Sequence, residues 1–278
     1  MTLQGIGIGF RYAMAEELLA AEAPEIRWLE VHPENYVQRG GRFRYRLEQA
    51  RERYAFATHG LTLGLGSLQP ADRGYVEPLR AFLAELGTPF HSEHLCFSGV
   101  DGVVLHDLLP LPFTQEAAEL VAKRFQELQT QLELPLAIEN ISYYAHPGGT
   151  PAMDEADFLN LVLNETDGKL LLDVNNVWVN SRNHNFDPYA FIDRLPLSRV
   201  IQIHVAGPTE RADGLFIDTH GEPIREECYE LLEYTLRRTG PVPVLLERDQ
   251  NFPPFESILA EVKRLTAIYD RATVAPCR

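Results

Sequence analysis

The chain has 278 residues, with 25 Lys and Arg against 40 Asp and Glu, giving a formal net charge of −15. A domain of this size buries roughly 75% of the surface its unfolded chain exposes, so its core needs neither disulfides nor a structural metal, and any metal is expected to be functional. The acidic balance disfavours nonspecific binding to nucleic-acid phosphates, and no window is long and apolar enough to span a bilayer.

Residues 1–10 lack the basic region, apolar stretch and cleavage site of a secretory signal, so the cytosol is the expected compartment. Cys96, Cys228 and Cys277 are odd in number and show no CxxC spacing. That pattern argues against a disulfide framework and against a thiolate zinc knuckle.

Taken in chain order, short apolar runs alternate with longer amphipathic stretches. The predicted strands are 5–9, 28–32, 56–61, 90–94, 136–140, 170–174, 200–205 and 242–247. The predicted helices lie near 13–21, 43–54, 75–86, 114–132, 155–165, 188–195, 226–238 and 255–269. Such alternation predicts parallel βαβ units. Eight units in about 250 residues specify an α/β fold of the (β/α)8, or TIM-barrel, type. Gly5-Ile6-Gly7-Ile8-Gly9 is glycine-rich, but Phe10 stands where a dinucleotide fingerprint needs a glycine. Segments 99–112 and 207–223 are long enough to be functional βα loops. No linker or repeat interrupts the chain, and 1–278 reads as a single domain.

Barrel enzymes place their chemistry at the C-terminal ends of the strands. Strand three ends in His59, strand four in Glu93-His94, strand five in Glu139-Asn140, and strand six in Asp173-Val174-Asn175-Asn176. Strand seven ends in His204 and strand eight in Glu247-Arg248, and the following loop of strand seven adds Asp218 and His220. One such residue is ordinarily a hydrogen-bonded loop anchor. Four carboxylates and four imidazoles buried together are different, because no comparable set of Lys or Arg stands at those ends to offset them. Cations must do so, and eight or nine ligands imply two or three ions.

Imidazole and carboxylate without thiolate suits iron, zinc or manganese, and spacing does not choose among them. One division places His59, His94 and Glu139 around one ion, and Glu139, Asp173, His204 and Glu247 around a second. Asn176, Asp218 and His220 would then hold a third. The chemistry is assigned to Glu139, Asp173 and His204. Glu30, His32 and Asn35, at the end of strand two, are candidates for supporting the ligands or touching substrate, or else for loop packing. His106 could line the cleft, Arg248 and Asp249 could orient Glu247, and Asn140 adjoins Glu139. His184 reads equally as a ligand-shell or substrate residue and as a loop hydrogen-bonding group.

Several strings resemble the multinuclear non-heme iron-dependent oxidases, a family that includes the methanobactin-biosynthesis oxidase. They are Leu29-Glu30-Val31-His32-Pro33-Glu34-Asn35-Tyr36, Ser92-Glu93-His94-Leu95, Asp107-Leu108-Leu109-Pro110, Ile138-Glu139-Asn140, Leu172-Asp173-Val174-Asn175-Asn176 and Asp218-Thr219-His220-Gly221. The resemblance runs from about Gly5 to Asp249. It implies a xylose-isomerase-like barrel, a centre of two or three irons, and dioxygen as co-substrate. It further implies oxidation of a ribosomally made precursor peptide, commonly at cysteine, during natural-product maturation.

The ligand order also resembles the trinuclear zinc barrel of apurinic endonuclease. There the residue three past the strand-six aspartate is typically histidine, whereas here it is Asn176. That departure and the strongly negative charge both weigh against a DNA hydrolase. A zinc phosphodiesterase, a sugar isomerase and a noncatalytic metal-binding subunit are the alternatives. The barrel accounts for nearly the whole chain, so a separate leader-binding partner protein is expected, with no membrane or nucleic-acid partner.

Overall fold

The computed structural model describes residues 3–100 and 103–273. In chain order the elements begin with β1 (Ile6–Gly9), α1 (Ala15–Ala20), β2 (Ile26–Val31), α2 (Gly41–Arg51), β3 (Ala55–Gly60), α3 (Arg73–Leu86) and β4 (His91–His94). A hairpin of β5 (Phe97–Val100) and β6 (Val103–Leu109) precedes α4 (Gln115–Leu132), β7 (Leu136–Glu139), α5 (Glu155–Glu165) and β8 (Lys169–Asp173). Then come α6 (Val174–His184), α7 (Pro188–Arg194) and β9 (Val200–Val205), a small hairpin of β10 (Thr209–Glu210) and β11 (Phe216–Ile217), α8 (Glu226–Thr239), β12 (Val244–Leu246) and α9 (Phe255–Thr273).

Eight parallel strands close into a barrel in the order β1-β12-β9-β8-β7-β4-β3-β2. These are the eight strands read from the sequence, displaced by at most a few residues. Aliphatic residues on the outer faces of the strands pack against the helices in one continuous core that includes Leu18, Leu79, Phe125, Phe158, Ile192, Leu232 and Val262. Inside the barrel Trp28, Ala57 and Leu245 form a separate apolar plug with Leu3 and Phe90. Side chains in a strand repeat on one face every second residue. The residues two beyond the plug, Glu30, His59 and Glu247, therefore form a polar layer directly above it.

Gly7 belongs to the plug for a steric reason. A Cβ there would meet the Trp28 ring, so this glycine serves close packing.

Two features differ from the sequence reading. Segments 99–112 and 207–223 each contain a hairpin, so Asp107 and its neighbour lie on β6 rather than in an open loop. The sequence reading also has no helix at Val174–His184, where α6 follows β8 without an intervening loop. Asp173 is both the last residue of β8 and the cap of α6, its Oδ1 accepting from the Asn176 backbone N–H at 2.6 Å. The alternation in Val174-Asn175-Asn176-Val177-Trp178-Val179-Asn180 fits a strand or a helix equally well, so local pattern could not decide it.

Candidate metal centre

The polar layer converges at the C-terminal mouth of the barrel. Ligand-type atoms of His59, His94 and Glu139 lie within 4.8 Å of one another, as do those of Glu139, Asp173 and His204. Asp173, His220 and Glu247 form a further group on the same terms, as do Glu30, His204 and Glu247. Glu139 Oε2 is 2.9 Å from His59 Nε2 and 3.5 Å from His94 Nε2, while its Oε1 is 3.7 Å from His204 Nδ1. His204 Nδ1 is in turn 3.2 Å from Glu247 Oε2. Glu139 thus stands between two groups of heads, one carboxylate oxygen toward each.

Many of these atoms have no hydrogen-bond partner despite burial. Glu139 Oε2, Asp173 Oδ2, Asn176 Oδ1, His204 Nδ1 and His220 Nε2 are all in this condition. Buried polar atoms are ordinarily satisfied. Convergence of unpartnered lone pairs is what a divalent-cation site requires, and the donor set, imidazole and carboxylate without thiolate, fits iron, zinc or manganese.

Groups behind the ligands aim them. Ser92 Oγ is 2.8 Å from His59 Nδ1, and the Gly60 carbonyl is 3.1 Å from His94 Nδ1. Asn140 holds the backbone of Asp173 on both sides, donating to its carbonyl and accepting from its N–H, each at 2.9 Å. Asn176 donates from its amide to the Asn140 carbonyl at 3.1 Å, which turns its oxygen the other way. Asp218 accepts from Asn175 at 2.7 Å and from Ser142 at 3.2 Å, and its Oδ1 lies 2.6 Å from His220 Nε2. His220 takes up a positive φ of 50°, a left-handed conformation uncommon outside glycine, and Asp249 accepts from its Nδ1 at 2.9 Å.

Burial alone would neutralise every group here, and at Glu30, His59, His204 and His220 the opposed charges overcome it. The Glu30 carboxylate, despite burial, is held down at about 2 by His204. His59, which burial pushes down, is carried up to about 9 by Glu139. Burial likewise opposes but does not prevent the upward shifts of His204, beside Glu30, and of His220, beside Asp218. Burial and the nearby Glu139 and Asp218 push Asp173 upward. The mouth therefore attracts positive charge, whether protons or metal ions.

His59, His94, Glu139, Asp173, Asn176, His204, Asp218, His220 and Glu247 are all brought together at this mouth. His32 lies beside them, grouped with Glu247 and Asp249, with its Nδ1 2.8 Å from the His59 carbonyl. Asn35 sits half-buried in a 3-10 turn at Pro33–Asn35. Arg248 turns away from the mouth and binds Glu261 of α9 at 2.8 Å, as alternation after Glu247 requires. His184 stacks on Tyr143 and bonds to its carbonyl at 2.9 Å, the loop-anchoring one of its two readings. The side chain of His106 and all of Cys277 lie outside the described residues.

Two participants are absent from the sequence reading. Arg11, just past strand one, reaches Glu247 Oε1 at 3.1 Å and Asp249 Oδ1 at 2.6 Å, supplying a counter-charge that strands three to eight do not. Gln202 donates to Glu30 across the barrel. The signal for Arg11 is its place at the end of strand one, beside the other strand ends. For Gln202 it is a place two residues before His204, on the same face of the strand.

Known proteins resemble this chain along nearly its whole length. A UPF0276 protein of Pasteurella multocida is 39% identical, covering 98% of this chain and 96% of its own. A UPF0276 protein of Pseudomonas aeruginosa strain UCBPP-PA14 is 41% identical over 99% and 96%. Among solved structures, a xylose isomerase domain protein from Alicyclobacillus acidocaldarius superposes with a TM-score of 0.58 at 13% identity, covering 96% of this chain and all of that one. Endonuclease IV from Thermus thermophilus gives 0.57 at 16% identity over 97% and 99%. At those identities the likeness shows the fold alone, a xylose-isomerase-like barrel. The family model described as RiPP precursor modification enzyme MbnB/TglH/ChrH matches residues 5–270, and the chain belongs to that family of peptide-modifying enzymes.

Proposed function

We propose that this protein is an iron-dependent oxidase that uses dioxygen to modify a ribosomally made precursor peptide at cysteine, in the cytoplasm. The observation that carries the reading is Glu139, whose two oxygens face two separate groups of ligand heads, with Glu139 Oε2 and His204 Nδ1 buried and without a hydrogen-bond partner. His59 and His94 would hold one ion with Glu139. Asp173, His204 and Glu247 would hold a second, and Asn176, Asp218 and His220 a third. Bound iron would supply a template for thiolate and dioxygen and would relay electrons from the peptide to dioxygen, the oxidant.

The chain's own residues do the rest. The apolar plug of Trp28, Ala57 and Leu245 closes the barrel beneath the centre and excludes water from below. Glu139 would tie the two ion sites together, so that a substrate group at one would be next to the other. Asp249 and Glu30 face His220 and His204 from behind. A separate partner protein that presents the leader of the precursor is part of this reading. Among the described residues no helix is long and apolar enough to cross a membrane.

The test is elemental analysis after anaerobic expression with iron, together with dioxygen consumption in the presence of a cysteine-containing precursor peptide. Two or three irons per chain and peptide-dependent dioxygen uptake are expected. Zinc alone, with activity kept when iron is removed, would replace this reading with a zinc hydrolase. Stoichiometric iron with no turnover of any kind would leave a metal-binding subunit.

A further inference from the structure

Three of the four imidazoles at the mouth present the same ring atom to the centre. His59, His94 and His220 turn Nε2 inward, with Nδ1 engaged by Ser92, the Gly60 carbonyl and Asp249. His204 is reversed. Its Nδ1 faces Glu139 and Glu247, and its Nε2 lies 3.2 Å from Glu30 Oε2 on the far side of the ring. Glu30 is fully buried and 174 residues away in sequence. The outer partners also differ in kind. His59 and His94 are backed by a hydroxyl and a carbonyl, His220 by a carboxylate, and His204 by a carboxylate together with the Gln202 amide, whose nitrogen lies 2.7 Å from its Nε2.

We infer that Glu30 and Asp249 are positioning residues that fix His204 and His220 in opposite tautomers and make them the stronger donors of the centre. This rests on the metal-centre reading above. A carboxylate that accepts the outer N–H of a ligating imidazole locks the ring and raises its basicity, and losing such a partner costs about 10- to 100-fold in metal affinity. The geometry adds which nitrogen each carboxylate protects. Glu30 keeps the proton of His204 on Nε2 and frees Nδ1. Asp249, itself gripped by Arg11, keeps the proton of His220 on Nδ1 and frees Nε2. Neither carboxylate is required to touch the metal. Gln202 donates to Glu30 on the same side and its amide nitrogen also meets His204 Nε2 at 2.7 Å, so that edge of the ring is shared, and binding of a metal at Nδ1 is what leaves the Nε2 proton to Glu30.

The test uses the full-length protein loaded with zinc alone, a diamagnetic probe, and 15N-labelled histidine. Long-range 1H–15N spectra should show His204 protonated on Nε2 and His220 on Nδ1. In Glu30→Gln the His204 signals should lose this pattern, while those of His59 and His94 stay in place. Asp249→Asn should do the same to His220. Competition with a chelator should show zinc affinity down about 10- to 100-fold in each variant, with the melting temperature of the metal-free protein little changed. Metal on Nε2 of His204, or equal disturbance of all four rings, would overturn the inference while leaving the metal centre intact. A parent protein that takes up no zinc, cobalt or iron would instead overturn the metal-centre reading on which it rests.

Discussion

Strand β4 carries a buried polar cluster on each of its faces, and the two behave differently. Inward, Ser92 and His94 join His59 and Glu139 at the mouth. Outward, His91 and Glu93 lie under the helical layer, 3.6 Å apart, with Glu34 and Tyr75 beside them. Burial is near complete on both faces. Outward, burial first and Glu34 second push the Glu93 carboxyl well up, and burial brings His91 down to about 4. Burial there favours the uncharged form of both groups. Inward, burial still brings His94 down, but at Glu139 it is outweighed by opposed charges from several strands, and that carboxylate is held below its ordinary range by His59 and His94. Burial by itself discharges a group, and only convergence keeps carboxylates ionised enough to hold a cation.

The sharpest way to break that contrast is Glu139→Ala. It removes the carboxylate common to both groups of heads, and elemental analysis should find at least one ion per chain lost, with affinity for the remainder down tenfold or more. His184→Ala, at the Tyr143 carbonyl, should leave metal content at the parental level. Equal losses in the two variants would refute the placement of Glu139 at the centre.

Next in size is a pH effect on the outward face. The folded value of His91 lies below the ordinary 6.5, so as pH falls the unfolded chain takes up the proton first. The stability it contributes is present above pH 6.5 and is lost between pH 6.5 and about 4, a span worth about 3 kcal/mol. Urea melts of chelator-treated protein across that range should show the loss, and His91→Gln should flatten it.

Gly60→Ala tests the packing between the two faces. A Cβ at residue 60 would sit 1.9 Å from Glu93 Oε1 and 2.9 Å from His91 Nε2, with both groups buried. Overpacking of this kind should cost about 1–3 kcal/mol in a denaturant melt. The smallest effect belongs to Glu93→Gln. Burial already favours the uncharged carboxyl, so its amide should change stability by less than about 1 kcal/mol and leave metal content unchanged, although residue 93 adjoins His94. A large loss of metal in Glu93→Gln would show that the outward cluster belongs to the centre.

The amino-acid sequence by itself determined the barrel and most of the mouth. Buried parallel strands read as short apolar runs, the helices between them as longer amphipathic ones, and a barrel then dictates that residues at strand ends meet. That is why His59, His94, Glu139, Asp173, His204 and Glu247 could be named together without coordinates. Tertiary structure decided what depends on direction rather than order. Gln202 bonds to Glu30 only because β9 and β2 face each other across the barrel, 172 residues apart in the chain. Arg11 became a partner of Glu247 and Asp249 because closure sets β1 beside β12. Strand or helix at Val174–His184 was settled by capping from Asp173, a choice its alternating residues left open. The ring nitrogen each histidine offers depends on what stands behind it, and that partner comes from another strand or loop at a distance no sequence spacing encodes.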